Sequence, residues 1–288
     1  MVPRPGRYLA WGWGIILGGL LLVFYRDRLE ALVLIWVSDG IYSLCPFVPL
    51  ISLGLIYLQR NRYRALPVKP SGWGLLGPGL AVTLTIWFDY RAVGLIAYTP
   101  ALLALTLAGG VVALRGWQTL RQMAFPLLFL LFLMPAPPTL MTAIDYPLQA
   151  VCARTTAGIS SLVGLPVQCA GAQLLFPNPD ISLLVAPACN GLRSTVALLA
   201  IASVYAYLLK GALYKRCALV LAAVPLAYVG NFARLLGLVL IIPVTAPASP
   251  RFIGMLDAGL GLMTFALPLA LLYLLARVLR CTEFQPID

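Results

Sequence analysis

Residues 217–243 read CALVLAAVPLAYVGNFARLLGLVLIIP, and this stretch decides the class of fold. It is almost wholly apolar and carries a single charged residue, Arg234. A helix needs about 20 mainly apolar residues to cross the hydrocarbon core of a bilayer, and this stretch is long enough. The sequence therefore predicts a transmembrane helix that holds a charge inside the membrane.

The composition of the whole chain extends this interpretation. Of its 288 residues, 61% are apolar and 10% are charged, whereas soluble domains average about 45–50% apolar and about 25% charged residues. Disorder is excluded as well, because it requires low hydrophobicity and high charge. We expect an all-α polytopic membrane protein that forms a single transmembrane domain over residues 1–288. The apolar stretches predict about eight transmembrane helices, near residues 8–25, 36–58, 73–88, 92–114, 123–143, 187–209, 217–243 and 253–276.

The segment 144–186, between the fifth and sixth predicted spans, is less apolar than its neighbours. Residues 146–165 predict a helix that lies at the membrane interface or packs within the bundle. Turn-forming residues at 177–180 separate two short apolar runs, 173–176 and 181–185. This pattern predicts a small hairpin before the sixth span.

The charge distribution predicts the topology. The chain has 20 basic and 9 acidic residues, a net charge of +11. In a polytopic protein such an excess is typical of cytoplasmic loops, so we expect no nucleic-acid partner. The loops on the side of the two termini hold most of the basic residues. Both termini are therefore expected in the cytoplasm, and segment 144–186 is expected outside.

The chain contains no histidine, which excludes zinc–histidine sites and histidine-based catalytic dyads and triads. Its six cysteines show no CxxC spacing, so they predict neither a metal site nor a disulfide framework. We expect no metal and no cofactor.

Charged residues inside the predicted spans are functional candidates, because a charge in hydrocarbon is costly. Arg193 follows the start of the sixth span, Arg234 lies in the outer half of the seventh, and Asp257 is near the start of the eighth. Cys189 precedes Arg193 by four residues and Asn231 precedes Arg234 by three, so each pair shares a helix face. We expect these five residues to meet near the outer leaflet.

Cys189 is the candidate nucleophile of this group. Pro187 suits the first turn of a helix, which would place Cys189 among the unpaired N–H groups of that turn. A helix N-terminus and a nearby guanidinium both favour a thiolate. Simpler interpretations stand beside this one: a cysteine that only packs, a structural ion pair between Arg234 and Asp257, and an interhelical hydrogen bond from Asn231. The other cysteines are interpreted as structural.

Two motifs in this region resemble the exosortase/archaeosortase family of membrane transpeptidases. The string Ala188-Cys189-Asn190-Gly191-Leu192-Arg193-Ser194 is similar to the family's cysteine motif, and Asn231–Arg234 is similar to its Asn-x-x-Arg motif. The likeness makes residues 134–276 the expected catalytic core. The family usually has a histidine at the start of the last span; Asp257 occupies that place here, and Arg251 is the other candidate.

The resemblance implies a cysteine protease or transpeptidase at the outer face of the bacterial plasma membrane. Its partners would be membrane lipid and secreted proteins with a C-terminal sorting signal of the PEP-CTERM kind: a short motif, a hydrophobic helix and a basic tail. Cys189 would attack the scissile carbonyl, Arg234 would stabilise the thiolate and the oxyanion, and Asp257 would orient Arg234 or protonate the leaving amine. Four further residues would support the site or meet the substrate: Arg193, Asn190, Asn231 and Arg251.

Two other functions stay open at this point. A lipid-linked glycan polymerase, flippase or transporter also places arginines near the outer leaflet, but it has no need of Cys189. An inactive family member would bind sorting signals without cutting them, and the missing histidine is compatible with that function.

Overall fold

A computed structural model of the chain describes residues 6–38, 42, 44–90, 95–135, 138–176, 182–184, 192–245, 250–281 and 283. In these ranges the regular structure is almost entirely α-helix, which confirms the all-α class of membrane protein. The helices are α1 (Gly6–Ser38), α2 (Phe47–Leu58), α3 (Arg60–Ala65), α4 (Leu76–Tyr90), α5 (Thr99–Arg115), α6 (Trp117–Phe129), α7 (Pro138–Leu162), α8 (Leu192–Leu208), α9 (Leu213–Thr245) and α10 (Pro250–Val278).

Within the described ranges, three helical segments are long and apolar enough to cross a membrane: Ile96–Arg115, Leu213–Ile242 and Met255–Val278. Two others, Phe47–Leu58 and Ser194–Leu208, are apolar but shorter. These helices support a multi-pass protein but not the number of eight spans, because several of the apolar stretches are divided into shorter helices. The chain forms two compact units, about residues 1–136 and 137–286.

In the first unit, the predicted boundary between the first two spans is wrong. The loop expected after residue 25 is part of α1, which continues to Ser38. The charged residues there are helix formers with partners: Arg26 pairs with Glu30 one turn later at 3.0 Å, and Arg28 pairs with Asp89 of α4. The helix expected over 36–58 is correspondingly shorter, because α2 begins only at Phe47.

The glycine-rich third span is a site of close helix packing. A 3-10 turn over Gly72–Leu75 leads into α4. A Cβ added at Gly74 would lie 2.2 Å from the backbone nitrogen of Ala113, and one added at Gly109 would lie 2.5 Å from the carbonyl oxygen of Gly74. Glycine is thus required for the 3-10 turn and α5 to approach this closely, as at other membrane helix interfaces.

The single span predicted over 123–143 is also wrong. α6 ends at Phe129, a 3-10 turn covers Leu130–Leu133, and Met134 is extended, with ψ at 114°. Pro135 follows, and a proline excludes the residue before it from the α conformation. The next helix, α7, starts at Pro138, where a proline fits because its missing N–H has no helical partner.

In the second unit, α7 packs by one face rather than lying free. Its buried residues include Cys152, Ala153, Thr156 and Ser160, whereas Arg154 and Thr155 are exposed. The predicted hairpin after it is confirmed: β2 (Gln173–Leu175) and β3 (Ser182–Leu184) pair antiparallel. A further strand that the sequence did not indicate, β1 (Gln168–Ala170), pairs with β2.

α9 and α10 pack against each other in antiparallel fashion. Gly230 of α9 lies against Pro268 of α10, and farther along α9, Gly237 lies against Leu260. A Cβ at Gly230 would lie 2.5 Å from Pro268 Cγ and 2.8 Å from the carbonyl oxygen of Thr264. Because Gly230 has no side chain, α9 and α10 can approach this closely beside Pro268.

Candidate functional site

An ion pair joins α9 to α10 one turn from the close contact at Gly230. Arg234 donates from Nε to Asp257 Oδ1 at 2.8 Å and from Nη2 to Asp257 Oδ2 at 2.7 Å. The two side chains are 19% and 33% exposed. Two parallel hydrogen bonds between a guanidinium and an ionised carboxylate fix both the distance and the plane of the arginine.

The local sequence explains how the pair fits between the helices. The Arg234 side chain runs over Gly261, where a Cβ would lie 3.7 Å from its Nε. That distance is ordinary van der Waals contact, so the Arg234 side chain packs on the backbone of α10 at Gly261. Arg234 lies eleven residues before Thr245, the last residue of α9, or about 16 Å along the helix axis. Asp257 lies seven residues after Pro250, the first residue of α10, so the pair is in the C-terminal half of α9 and the N-terminal half of α10.

A small cavity of about 30 Å³ adjoins the pair, which is room for about one water molecule. α8 contributes Ser194 to its wall, α9 contributes Asn231 and Arg234, and α10 contributes Thr264 and Phe265. Three helices thus bring polar groups to one place inside the second unit.

Asn231 connects this place to α7. Its side chain is 5% exposed, and its Nδ2 donates to Cys152 Sγ at 3.7 Å. One turn before it, Tyr228 Oη lies 3.3 Å from Thr155 Oγ1. α7 therefore supports the face of α9 that carries Asn231, and Cys152, which is fully buried, has a structural position.

The structure brings together three of the residues singled out from the sequence, Asn231, Arg234 and Asp257. Cys189 and Asn190 lie outside the described residues. Arg193 and Arg251 belong to the described backbones of α8 and α10, but their side chains lie outside the described part.

Cys152, Ser194 and Thr264 were not among the predicted site residues. The mixture of small and polar residues in 146–165 was the available signal for Cys152, whereas a serine and a threonine in apolar helices give none. Among the described residues, no three cysteine or acidic side chains gather in a group that could hold a metal ion.

The fold and this charged helix pair define a multi-pass α-helical membrane protein with a polar site between its helices. The chain belongs to the transmembrane exosortases: the model of that family matches residues 36–274, a range that includes Cys189, Arg234 and Asp257. Membership in this family implies, in general terms, a membrane cysteine transpeptidase that acts on proteins bearing sorting signals. Searches of the curated proteins and of the solved structures gave no significant match.

Proposed function

We propose that this chain is an active cysteine transpeptidase or protease that cleaves the C-terminal sorting signal of secreted proteins at the outer face of the plasma membrane. The observation that carries the proposal is the bidentate pair of Arg234 and Asp257 beside a cavity to which Ser194 contributes. A guanidinium held in a fixed plane within a partly shielded site is suited to stabilise developing negative charge.

Chain connectivity supports Cys189 as the nucleophile. Ser194 lines the cavity next to Arg234, and Cys189 precedes it by five residues. A fully extended chain covers up to about 18 Å over five residues, so the connection to Ser194 is long enough for Cys189 to reach the guanidinium. Cys152 is fully buried against Asn231, which makes it unsuitable for attack on a substrate.

The proposed reaction has two steps. The Cys189 thiolate attacks the scissile carbonyl carbon, the tetrahedral oxyanion forms beside Arg234, and the C–N bond breaks as the leaving amine takes a proton from water. A thioacyl enzyme results. An acceptor amine or water then attacks the same carbonyl, loses a proton, and releases the Cys189 thiolate with the transferred or hydrolysed product.

The geometry favours a positioning role for Asp257. Both of its carboxylate oxygens accept hydrogen bonds from Arg234, which is the arrangement of an ionised carboxylate. A proton donor would have to carry its proton on one of these oxygens, where Arg234 already donates. We therefore propose that Asp257 orients Arg234, with Asn231 and Arg193 as supporting residues. Asn190 and Arg251 stay predictions as supporting or substrate-binding residues.

Topology and organisation are part of the same proposal. The chain would be one functional transmembrane domain in the bacterial inner membrane, with about eight crossings in all, both termini in the cytoplasm and segment 144–186 outside. This places the end of α9 and α10 that carries the ion pair on the outer side, where a sorting signal of the PEP-CTERM kind would arrive after secretion.

The test compares the C-termini of secreted proteins from cells with the wild-type chain and with Cys189→Ala. We expect truncated C-termini in the wild type only, and unchanged processing in the control Cys169→Ala, because Cys169 lies in strand β1. Arg234→Lys should also stop processing, because an ammonium cannot replace a planar bidentate donor. Full processing with Cys189→Ala would refute the proposal and favour a polymerase, flippase or transporter. No processing by any chain, with sorting-signal proteins still co-purifying, would identify an inactive binder.

A further inference from the structure

The first unit contains a large open cavity that the proposed reaction does not use. Its volume is about 1090 Å³, at the upper limit of the sizes usual for small-molecule sites. Its walls are mainly apolar side chains of α2 and α5, such as Leu53, Leu107 and Leu114. An apolar ligand of considerable length is required to fill such a space.

One end of the cavity is basic. Arg60 and Arg64 line it from α3, where a spacing of four places them on one face. Arg115, at the end of α5, also lines it, and its Nη2 donates to the carbonyl oxygen of Tyr63 at 3.2 Å. Within the described part of the chain, none of these three arginines forms a salt bridge, and the lining contains no acidic residue. The described residues thus provide no counter-charge for this group of three arginines.

A buried hydroxyl lies beside the same end. Thr119 is 1% exposed and lines the cavity, and among the described residues its Oγ1 has no hydrogen-bond partner. It lies in the first turn of α6, directly after Arg115 and the turn at Gly116. A buried polar group in a native protein is normally satisfied, so this hydroxyl indicates a ligand with a hydrogen-bonding head.

The cavity is therefore amphipathic along its length. The part of α5 that lines it runs from Thr106 to Arg115, or about 14 Å. Its basic, hydroxyl-bearing end accommodates a phosphate, and its apolar remainder accommodates hydrocarbon.

We propose that this cavity binds an anionic phospholipid, with the phosphate at Arg60, Arg64 and Arg115 and an acyl chain along α5. Charge decides against the hydrophobic helix of a sorting signal, because its basic tail would meet three arginines. On the topology that the sequence predicts, the basic end faces the cytoplasm, where anionic lipid headgroups attract basic pockets.

The test uses the full-length purified chain in neutral detergent and native mass spectrometry. Phosphatidylglycerol and phosphatidylcholine with identical acyl chains are titrated separately, and we expect one tightly retained phosphatidylglycerol. The double variant Arg60→Gln/Arg64→Gln should weaken its retention roughly 30-fold, from the usual contribution of two basic residues at an anionic surface. The matched control Arg62→Gln/Arg121→Gln removes the same charge from exposed positions that do not line the cavity.

A second variant tests the apolar part without touching the charge. Gly110 lines the cavity, and a Cβ there meets nothing within 4 Å, so Gly110→Leu fills the space without a backbone clash. Gly79→Leu is its control, because Gly79 is equally open but does not line the cavity. We expect Gly110→Leu alone to displace phosphatidylglycerol while the thermal stability of both variants stays similar.

Four results would overturn the proposal. Equal retention of phosphatidylcholine and phosphatidylglycerol would show that the headgroup charge does not contribute to binding. Competition by soluble glycerol phosphate as strong as that by the lipid would show that the acyl chain does not contribute. An equal loss in the two double variants would show a general effect of net charge. Binding of a synthetic sorting-signal helix that Gly110→Leu abolishes would assign the cavity to the substrate instead.

Discussion

Reversal of the ion pair between Arg234 and Asp257 tests whether the Arg234 guanidinium has a catalytic or only a structural role. The single variants Arg234→Asp and Asp257→Arg each place two like charges between α9 and α10. The double variant restores an opposite-charge pair in the same place, but the guanidinium then extends from α10 instead of α9. The contribution of the ion pair to stability depends only on the two opposite charges being paired. The proposed oxyanion contact depends also on which helix carries the arginine.

The structure sets the size of the expected effect. At a charge separation of about 4 Å and an effective dielectric constant of about 20, the attraction is about 4 kcal/mol. Desolvation and the ordering of two side chains offset part of it, and side-chain exposures of 19% and 33% reduce it further. We expect the pair to contribute about 2 kcal/mol, so each single reversal should lower the unfolding free energy by at least about 2 kcal/mol. The double variant should recover more than half of the summed loss.

The assay has two readouts on the same four proteins. Unfolding free energy is measured in detergent, and processing is measured from the C-termini of secreted proteins. We expect stability to return in the double variant and processing to stay absent. The pair Arg26–Glu30, whose side chains are 72% and 63% exposed, is the control, and its reversal should change neither readout.

Either of two results would refute this reasoning. One result is a loss of unfolding free energy in the double variant that equals the sum of the two single losses. It would show that the two hydrogen bonds do not couple the helices. If the double variant processes substrate, then Arg234 is a structural cation, and the oxyanion must be stabilised by another group.

Two further predictions concern packing and topology. Gly230→Ala should lower the unfolding free energy by about 1–3 kcal/mol, because the new Cβ would lie 2.5 Å from Pro268 Cγ. The control Gly259→Ala, whose Cβ meets nothing within 4 Å, should leave it unchanged in the same thermal unfolding experiment. Equal effects of the two variants would contradict the close contact. Cysteines introduced at Arg62 and Asp180 should react with an impermeant thiol reagent from opposite sides of the membrane, and labelling of both from one side would disprove the proposed orientation.

Sequence patterns were sufficient where one chemical signal dominates. The apolar length of α9 marked it as a span, and the turn residues at 177–180 marked the hairpin. The patterns failed where charged residues continue a helix. Arg26 and Arg28 end the apolar stretch but not α1, because both have partners, Glu30 in the next turn and Asp89 in α4. The partner from α4 is 61 residues away, and no local pattern contains it.

Part of the site was predictable because charged residues are rare inside membrane spans and therefore stand out in the sequence. Arg234 and Asp257 were chosen for their cost in hydrocarbon, and they lie together. The fine structure around them depends on which helix faces meet, as the bond from Asn231 to Cys152 and the passage of Arg234 over Gly261 show. Such contacts depend on how the helices pack against one another. The spacing of residues along a single helix does not predict that packing.

The lack of histidine affects how the proposed site can handle protons. An imidazole titrates near neutral pH and can take a proton from the nucleophile as it attacks, but this chain has none. Arginine keeps its charge at every working pH, so the proposed mechanism relies on the permanent charge of Arg234 rather than on a titrating base. Asp257 holds Arg234 with both oxygens, so the proposed mechanism takes the proton for the leaving amine from water.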